Sequence, residues 1–215
     1  MPTFPLFYFG PIEYYARLVQ FEQVNFEVME RFPKRTYRNR CITLGPNGPQ
    51  NSSIALQKWQ SGESMTSDIR LSLVEPWPHE HWNTIRAAYG RSPFFEHFAP
   101  FLEPIFSPQP QSLVTFNLRA NEIILQLLGH SLQYNLTGEW KHLPRELDFR
   151  KAFPVSKFLL AKPLPSETVF EANPPYLQVF SDRFPFIPNL SILDLLFNEG
   201  PAALHYLKNL GQSPT

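Results

Sequence analysis

Seven consecutive residues, Lys34-Arg35-Thr36-Tyr37-Arg38-Asn39-Arg40, gather four cations, a phenol and an amide in a chain of 215 residues whose formal net charge is +0. Arginine carries a planar fork of donors that matches phosphate or carboxylate, so the cluster reads as an anion site. If Thr36 to Leu44 is a strand, its period of two puts Arg38, Arg40, Ile42 and Leu44 on one face and Tyr37, Asn39, Cys41 and Thr43 on the other. The apolar half would anchor the strand and the cationic end would project. The competing reading is a solvated basic edge strand, whose charges block pairing with other sheets.

Other candidate chemistry is thinner. His79, Glu80 and His81 are adjacent, and adjacent helical residues diverge where a metal pair needs spacing i, i+4. No metal and no cofactor is therefore expected. The chain has no Gly-rich phosphate loop and no Gly-x-Ser-x-Gly elbow, which leaves P-loop nucleotide hydrolysis and the usual hydrolase triad without support. Asp194 and Glu199 bracket Asn198 near a helix end, where capping competes with chemistry. The lone Cys41 excludes an internal disulfide and reads as a small buried side chain.

Hydrophobic residues at 43% and charged residues at 18% describe a globular protein. Phe at 20 and Pro at 23 are unusual, and so many prolines shorten every regular element because each removes a donor and restricts its predecessor. Short helices and strands with Phe rings in the gaps are expected. The opening Met1 to Gly10 lacks a basic region and reaches Pro11 and Glu13 at once, unlike a signal peptide. No apolar run approaches the ~18 residues of a membrane span. A cytoplasmic location follows as the expectation, and the Asn-x-Ser/Thr triplets at Asn51, Asn135 and Asn189 then carry no glycosylation meaning.

In chain order, Phe4 to Phe9 reads as a strand, followed by a helix from Pro11 with Ile12, Tyr15, Ala16 and Val19 on one face. Phe21 to Met29 reads as a second strand with Val24, Phe26 and Val28 on one side. Pro46-Asn47-Gly48-Pro49 predicts a hairpin turn. Gln57 to Met65 reads as loop, and Thr66 to Val74 alternates as the clearest strand. A helix through Trp82, Ile85 and Tyr89 ends at Gly90, where a left-handed residue would close it. Ser92-Pro93 opens the next, which Pro100 and Pro104 must kink. Asn117 is read as the cap of a helix through Ile123, Ile124 and Leu128, closed by Gly129, and Leu132 to Leu136 as a strand. Lys141 to Phe153 is charged and aperiodic ahead of the turn at Pro163 to Pro165, and residues 138–172 read as a mobile loop, either a lid over a ligand or a disordered excursion. Tyr176 to Phe180 reads as a strand, Ser191 with Asp194 as a capping box, and the last helix carries Leu204, Leu207 and Leu210. Together these predict one mixed α and β (α+β) domain over residues 1–215, a small sheet from the first third covered by short helices.

Several blocks in order resemble the WbqC-like family: Tyr8-Phe9-Gly10-Pro11-Ile12-Glu13-Tyr14-Tyr15, Lys34 to Arg40, Asn47-Gly48-Pro49, Asp68-Ile69-Arg70, His81 to Phe98, and the closing Leu190 to Pro201. Members occur among bacterial genes for surface polysaccharide, notably O-antigen, so the resemblance implies transfer of a glycine or other group. On that implication the anion site takes an activated donor, a nucleotide-sugar or an aminoacyl-phosphate, with Lys34, Arg35, Arg38 and Arg40 as the clamp. His81 is the expected general base because imidazole titrates near neutrality. Asn39, Asn117 and Asn198 would orient sugar hydroxyls or an amide, with Asp194 as a further substrate-binding candidate and a saccharide as acceptor, and Tyr8 and Tyr37 would stack on a ring. The rivals are a non-catalytic sugar or nucleotide binder and, more remotely, a nucleic-acid binder. A sequence pI of ≈ 7.0 and one short basic cluster argue against the last, so no nucleic acid is expected.

Overall fold

Punctuation by proline and glycine leaves room only for short elements, and the computed structural model, which describes residues 1–109, 111–153 and 174–211, has them. A three-residue strand β1 (Thr3–Pro5) leads through α1 (Ile12–Leu18) to β2 (Gln23–Glu27), which pairs with β1 in parallel. The far edge of β2 takes β5 (Gln133–Leu136), also in parallel, giving the order β1-β2-β5. Val24 and Phe26 face the core, as the alternation in β2 requires. A separate antiparallel hairpin, β3 (Arg40–Gly45) and β4 (Gly48–Ser53), turns through Pro46 and Asn47 with Gly48 at φ 105.

Helices α2 (Trp77–Tyr89), α3 (Phe95–Leu102), α4 (Leu113–Leu128), α5 (Ile192–Glu199) and α6 (Ala203–Gly211) cover these strands. The result is the expected α+β architecture around one apolar core. Residues Ile192 through Asn198 are all buried, so α5 runs through the centre rather than over a surface. Its start is tied to two distant segments: Ser191 N donates to Ile42 O and Ile192 N to Gly10 O.

Several expected elements are corrected. Thr66 to Val74 is no strand; Thr66–Asp68 forms a 3-10 turn because the amides of Thr66 and Ser67 go to Glu30 O and Val28 O, and Leu71 and Arg70 make only isolated bridges. Tyr176 to Phe180 is irregular: the Gln178 side chain satisfies both the amide and the carbonyl of Ile187, replacing a strand partner. The first strand stops at Pro5. Asn117 lies inside α4, whose cap is Ser112, and Gly90 keeps a right-handed φ of −59. Ser92 donates back to Tyr89 O and α3 starts only at Phe95. Ser191 accepts from Leu193 N, but the Asp194 carboxylate turns to Tyr176 and Gln178 and closes no capping box.

The part of the proposed lid within the described residues, 138–153, is pinned. Arg150 binds Glu27 at the end of β2 (Nη1 to Oε2, 2.9 Å) and Asp148 (Nη2 to Oδ2, 2.7 Å), with side-chain exposures of 5% for Arg150 and 1% for Glu27. Phe149 stacks on Phe4 at 4.4 Å and its amide donates to Thr3 O, covering the edge of β1. The expected turn at Pro163 to Pro165 and the rest of that segment lie outside the described residues.

Buried Glu13 in α1 has no close, well-aligned hydrogen bond to either carboxylate oxygen, and desolvation pushes its pKa up to about 8 against smaller lowering effects of Asn189 and Arg17. An acid whose folded pKa exceeds its unfolded one stabilises the protein below the unfolded value and loses that contribution as pH rises through the folded one. Glu13→Gln is therefore expected to melt about 5 °C above wild type at pH 9 and level with it at pH 4, measured by circular dichroism.

Candidate functional site

Beyond the carboxyl end of β2 the chain runs through Phe32 and Pro33 into the cationic stretch. The strand expected from Thr36 starts only at Arg40. Residues 36–39 form a turn because Thr36 Oγ1 accepts from the Arg38 amide at 3.2 Å, a local bond that competes with strand pairing. Arg35 takes the left-handed conformation at φ 51, unusual for a residue with a Cβ. That turn reverses the chain so that Lys34, Arg35, Asn39 and Arg40 line one cavity of ≈ 460 Å³. Its remaining walls are Pro33, Ser53 at the end of β4, Ile54 and Leu56 beyond it, and Phe32 and Trp59, whose rings meet edge to face at 5.0 Å.

No carboxylate lines this cavity, and Lys34, Arg35 and Arg40 make no ion pair among the described residues. Arg40 Nε is buried without a hydrogen-bond partner. Asn39 spends its amide on Ile54 O at 3.3 Å, leaving its carbonyl oxygen as an acceptor on the wall. Three uncompensated cations beside aromatic walls can take an anionic group joined to an apolar or planar one.

Arg38 does not line this cavity. Its Nε and Nη2 both reach Glu30 Oε1 at 2.6 Å, its Nη1 reaches Thr36 Oγ1 at 2.8 Å, and it lies 5.5 Å from the Phe7 ring centre. This buried ion pair fixes the turn from behind. Burial pushes the Glu30 pKa up, and Arg38 opposes that shift.

His81 stands just behind the wall rather than in the cavity. Its Nε2 faces Ser53 O at 3.1 Å and its Nδ1 faces Tyr8 Oη at 3.0 Å. A carbonyl can only accept, so the proton is on Nε2 and Nδ1 accepts from the phenol. Desolvation lowers the His81 pKa to about 4, against a smaller opposing effect of the Ser53 bond. The imidazole is thus neutral, both nitrogens are occupied, and the free-base role expected from sequence is replaced by bracing of β4. Tyr8 and Tyr37 are also corrected as stacking platforms: they are buried, at 0% and 3% exposure, and Tyr37 packs on Phe7.

The remaining sequence candidates do not converge. Asn117 and Asn121, on the buried face of α4, hold the backbone of Leu6, Phe7 and Arg38. Asn117 therefore positions the turn without touching the cavity. Asp194 is buried under Tyr176 and Gln178, its pKa pushed up to about 6 by desolvation. Asn198 lines a different cavity of ≈ 370 Å³ with Arg91 and Arg183. The β3-β4 hairpin separates the two: Arg40 and Ser53 close one end, and the other reaches Phe184 beside Arg183, about 17 Å away by strand rise.

His79 and His81 point apart, the first exposed and bonded to Asn83 at 2.8 Å. No group of three or more His, Cys, Asp or Glu is placed to hold a metal among the described residues, and no described helix is long and apolar enough to cross a membrane. Trp59, Phe32 and Ser53 were missed as wall residues. A tryptophan inside the polar run Gln57 to Met65 was the available signal.

The WbqC-like protein family matches residues 6–160 of the chain, which include every wall of the cationic cavity and end before the block from Leu190 to Pro201. The uncharacterized protein Rv1507c of Mycobacterium tuberculosis is 27% identical over 200 residues, with 83% of this chain and 84% of that protein covered. No solved structure matches the chain.

Proposed function

Since the chain belongs to the WbqC-like protein family, we propose that it is a transferase for an activated, phosphate-bearing donor in bacterial surface-polysaccharide assembly. Lys34, Arg35 and Arg40 hold the donor phosphates and Trp59 and Phe32 flank the group attached to them. The observation that supports this reading is the gathering of three unpaired cations, with no acid, on one cavity of ≈ 460 Å³. Such a clamp acts by orienting the donor and by stabilising charge that builds on the leaving group in a poorly hydrated site. His81 holds the Ser53 wall in register and is not itself required to move a proton.

Calorimetric titration with pyrophosphate, nucleotide-sugars and aminoacyl-phosphate analogues is expected to show binding in the micromolar range, at about −8 kcal/mol. It should weaken as salt is raised. Absence of binding to every phosphorylated probe would overturn the reading.

One observation favours a second reading, a non-catalytic carrier for the same ligands: the histidine behind the wall has both ring nitrogens engaged by Tyr8 and Ser53. A single-turnover assay with bound donor and candidate acceptors separates the two. Donor consumed only when acceptor is present supports the transferase, whereas donor bound and recovered intact supports the carrier.

A further inference from the structure

Resting on the donor cavity proposed above, we infer that the adjoining cavity of ≈ 330 Å³, lined by Met29, Glu30, Arg31, Met65 and Trp140, is a subsite for a saccharide ring that serves as acceptor. Arg31 lines this cavity and Phe32 begins the donor cavity, so one continuous segment walls both. Only Phe32 and Pro33 separate Arg31 from Lys34, a backbone reach of at most about 11 Å. The proposed donor and acceptor seats thus share one short stretch of backbone.

Trp140 provides the surface. The residue stays 46% exposed although the Arg150 guanidinium lies 4.9 Å from its ring centre and His142 packs edge-on at 4.6 Å. Arg150 is itself locked by Glu27 and Asp148, so the indole is held in place before any ligand arrives. A rigid ring of this kind gives flat contact area at low entropic cost. The C–H groups on one face of a pyranose pack against it. Met29 and Met65 adapt to the ring outline.

Glu30 provides the polar contact. Both Arg38 contacts fall on Oε1, and Oε2 has no hydrogen bond among the described residues. A hydroxyl can donate to Oε2. Because Arg38 offsets the carboxylate charge and Arg31 adds a positive one, the cavity has no net attraction for a cationic ligand. An apolar plate, a charge-compensated carboxylate acceptor and an arginine donor together suit a polyhydroxylated ring.

The test uses the full chain with its indole nitrogens labelled. Four tryptophans give four side-chain resonances, and Trp140→Phe identifies that of Trp140. Methyl glycosides of glucose, galactose and N-acetylglucosamine at millimolar concentration are expected to shift the Trp140 resonance, and pyrophosphate that of Trp59. Trp140→Ala should weaken glycoside binding more than tenfold and leave pyrophosphate affinity within twofold. Pyrophosphate binding with no glycoside shift at Trp140 overturns the acceptor subsite and spares the donor cavity. A Trp140 shift produced by uridine or adenosine but by no glycoside also overturns it. Glycoside binding without any response to pyrophosphate keeps the subsite and removes the donor reading instead.

Discussion

Replacing Arg35 and Arg40 together by Ala is expected to lower the affinity for pyrophosphate or a nucleotide-sugar by more than about 100-fold, with the melting temperature unchanged within about 2 °C. A hydrogen bond to a charged group contributes roughly 1.5–3 kcal/mol, so two lost together amount to at least about 3 kcal/mol. Neither side chain supports the fold. Arg35 is exposed, Arg40 half-buried, and neither has an ion partner among the described residues. Ala at position 35 also keeps the Cβ, so the strain of φ 51 is the same in both proteins and does not confound the comparison. Lys34→Ala alone should cost less, because an ammonium is a compact, strongly hydrated charge without a planar fork. Calorimetry reads the loss, and an affinity equal to wild type in the double variant rejects the clamp.

Arg38→Ala is expected to do the opposite, damaging stability far more than it changes the cavity. Removing the guanidinium leaves Glu30, at 15% side-chain exposure, as an uncompensated and largely desolvated carboxylate on the wall of the Trp140 cavity. Breaking a buried pair from one side costs about 3–5 kcal/mol, or roughly 10 °C in melting temperature for a chain of this size. The loss should be larger at pH 8 than at pH 5, since burial already holds the Glu30 pKa above its ordinary value and the orphaned acid can protonate when the pH falls. Glu30→Gln in the same chain should restore part of it, and the double-mutant cycle isolates the pair. Equilibrium denaturation at both pH values is the measurement. A normal unfolding midpoint combined with lost anion binding would return Arg38 to the clamp.

Within one cationic run Arg38 is paired while Lys34, Arg35 and Arg40 have no ion partner among the described residues, and the run itself does not show which. Arg38 and Arg40 share a face only if Thr36 to Leu44 is one strand. The carboxylate that claims Arg38 comes from Glu30 across a turn, and the turn comes from a hydroxyl at Thr36 that accepts from the backbone. His81 illustrates the same limit. As a sequence it is an imidazole near neutrality; its neutral state and blocked nitrogens follow from the approach of Tyr8, 73 residues away, and of Ser53, 28 residues away. The alternation of Ile69, Leu71 and Leu73 placed the first two correctly in the core, but Leu73 is 39% exposed and only isolated bridges take up the backbone there.

What the sequence determined by itself is whatever depends on near neighbours. Short elements follow from the prolines, the hairpin from Asn47-Gly48, the β2 segment from its period of two, and the α5 cap from Ser191. The concentration of cations at residues 34–40 and the family are equally properties of the linear chain. Tertiary structure alone decided which cations stay unpaired, which histidine nitrogen holds a proton, and that Asn198 closes a different cavity from Arg40. The physical reason is that charge compensation and desolvation act through space at a few ångströms, between groups whose separation along the chain is unrelated to that distance.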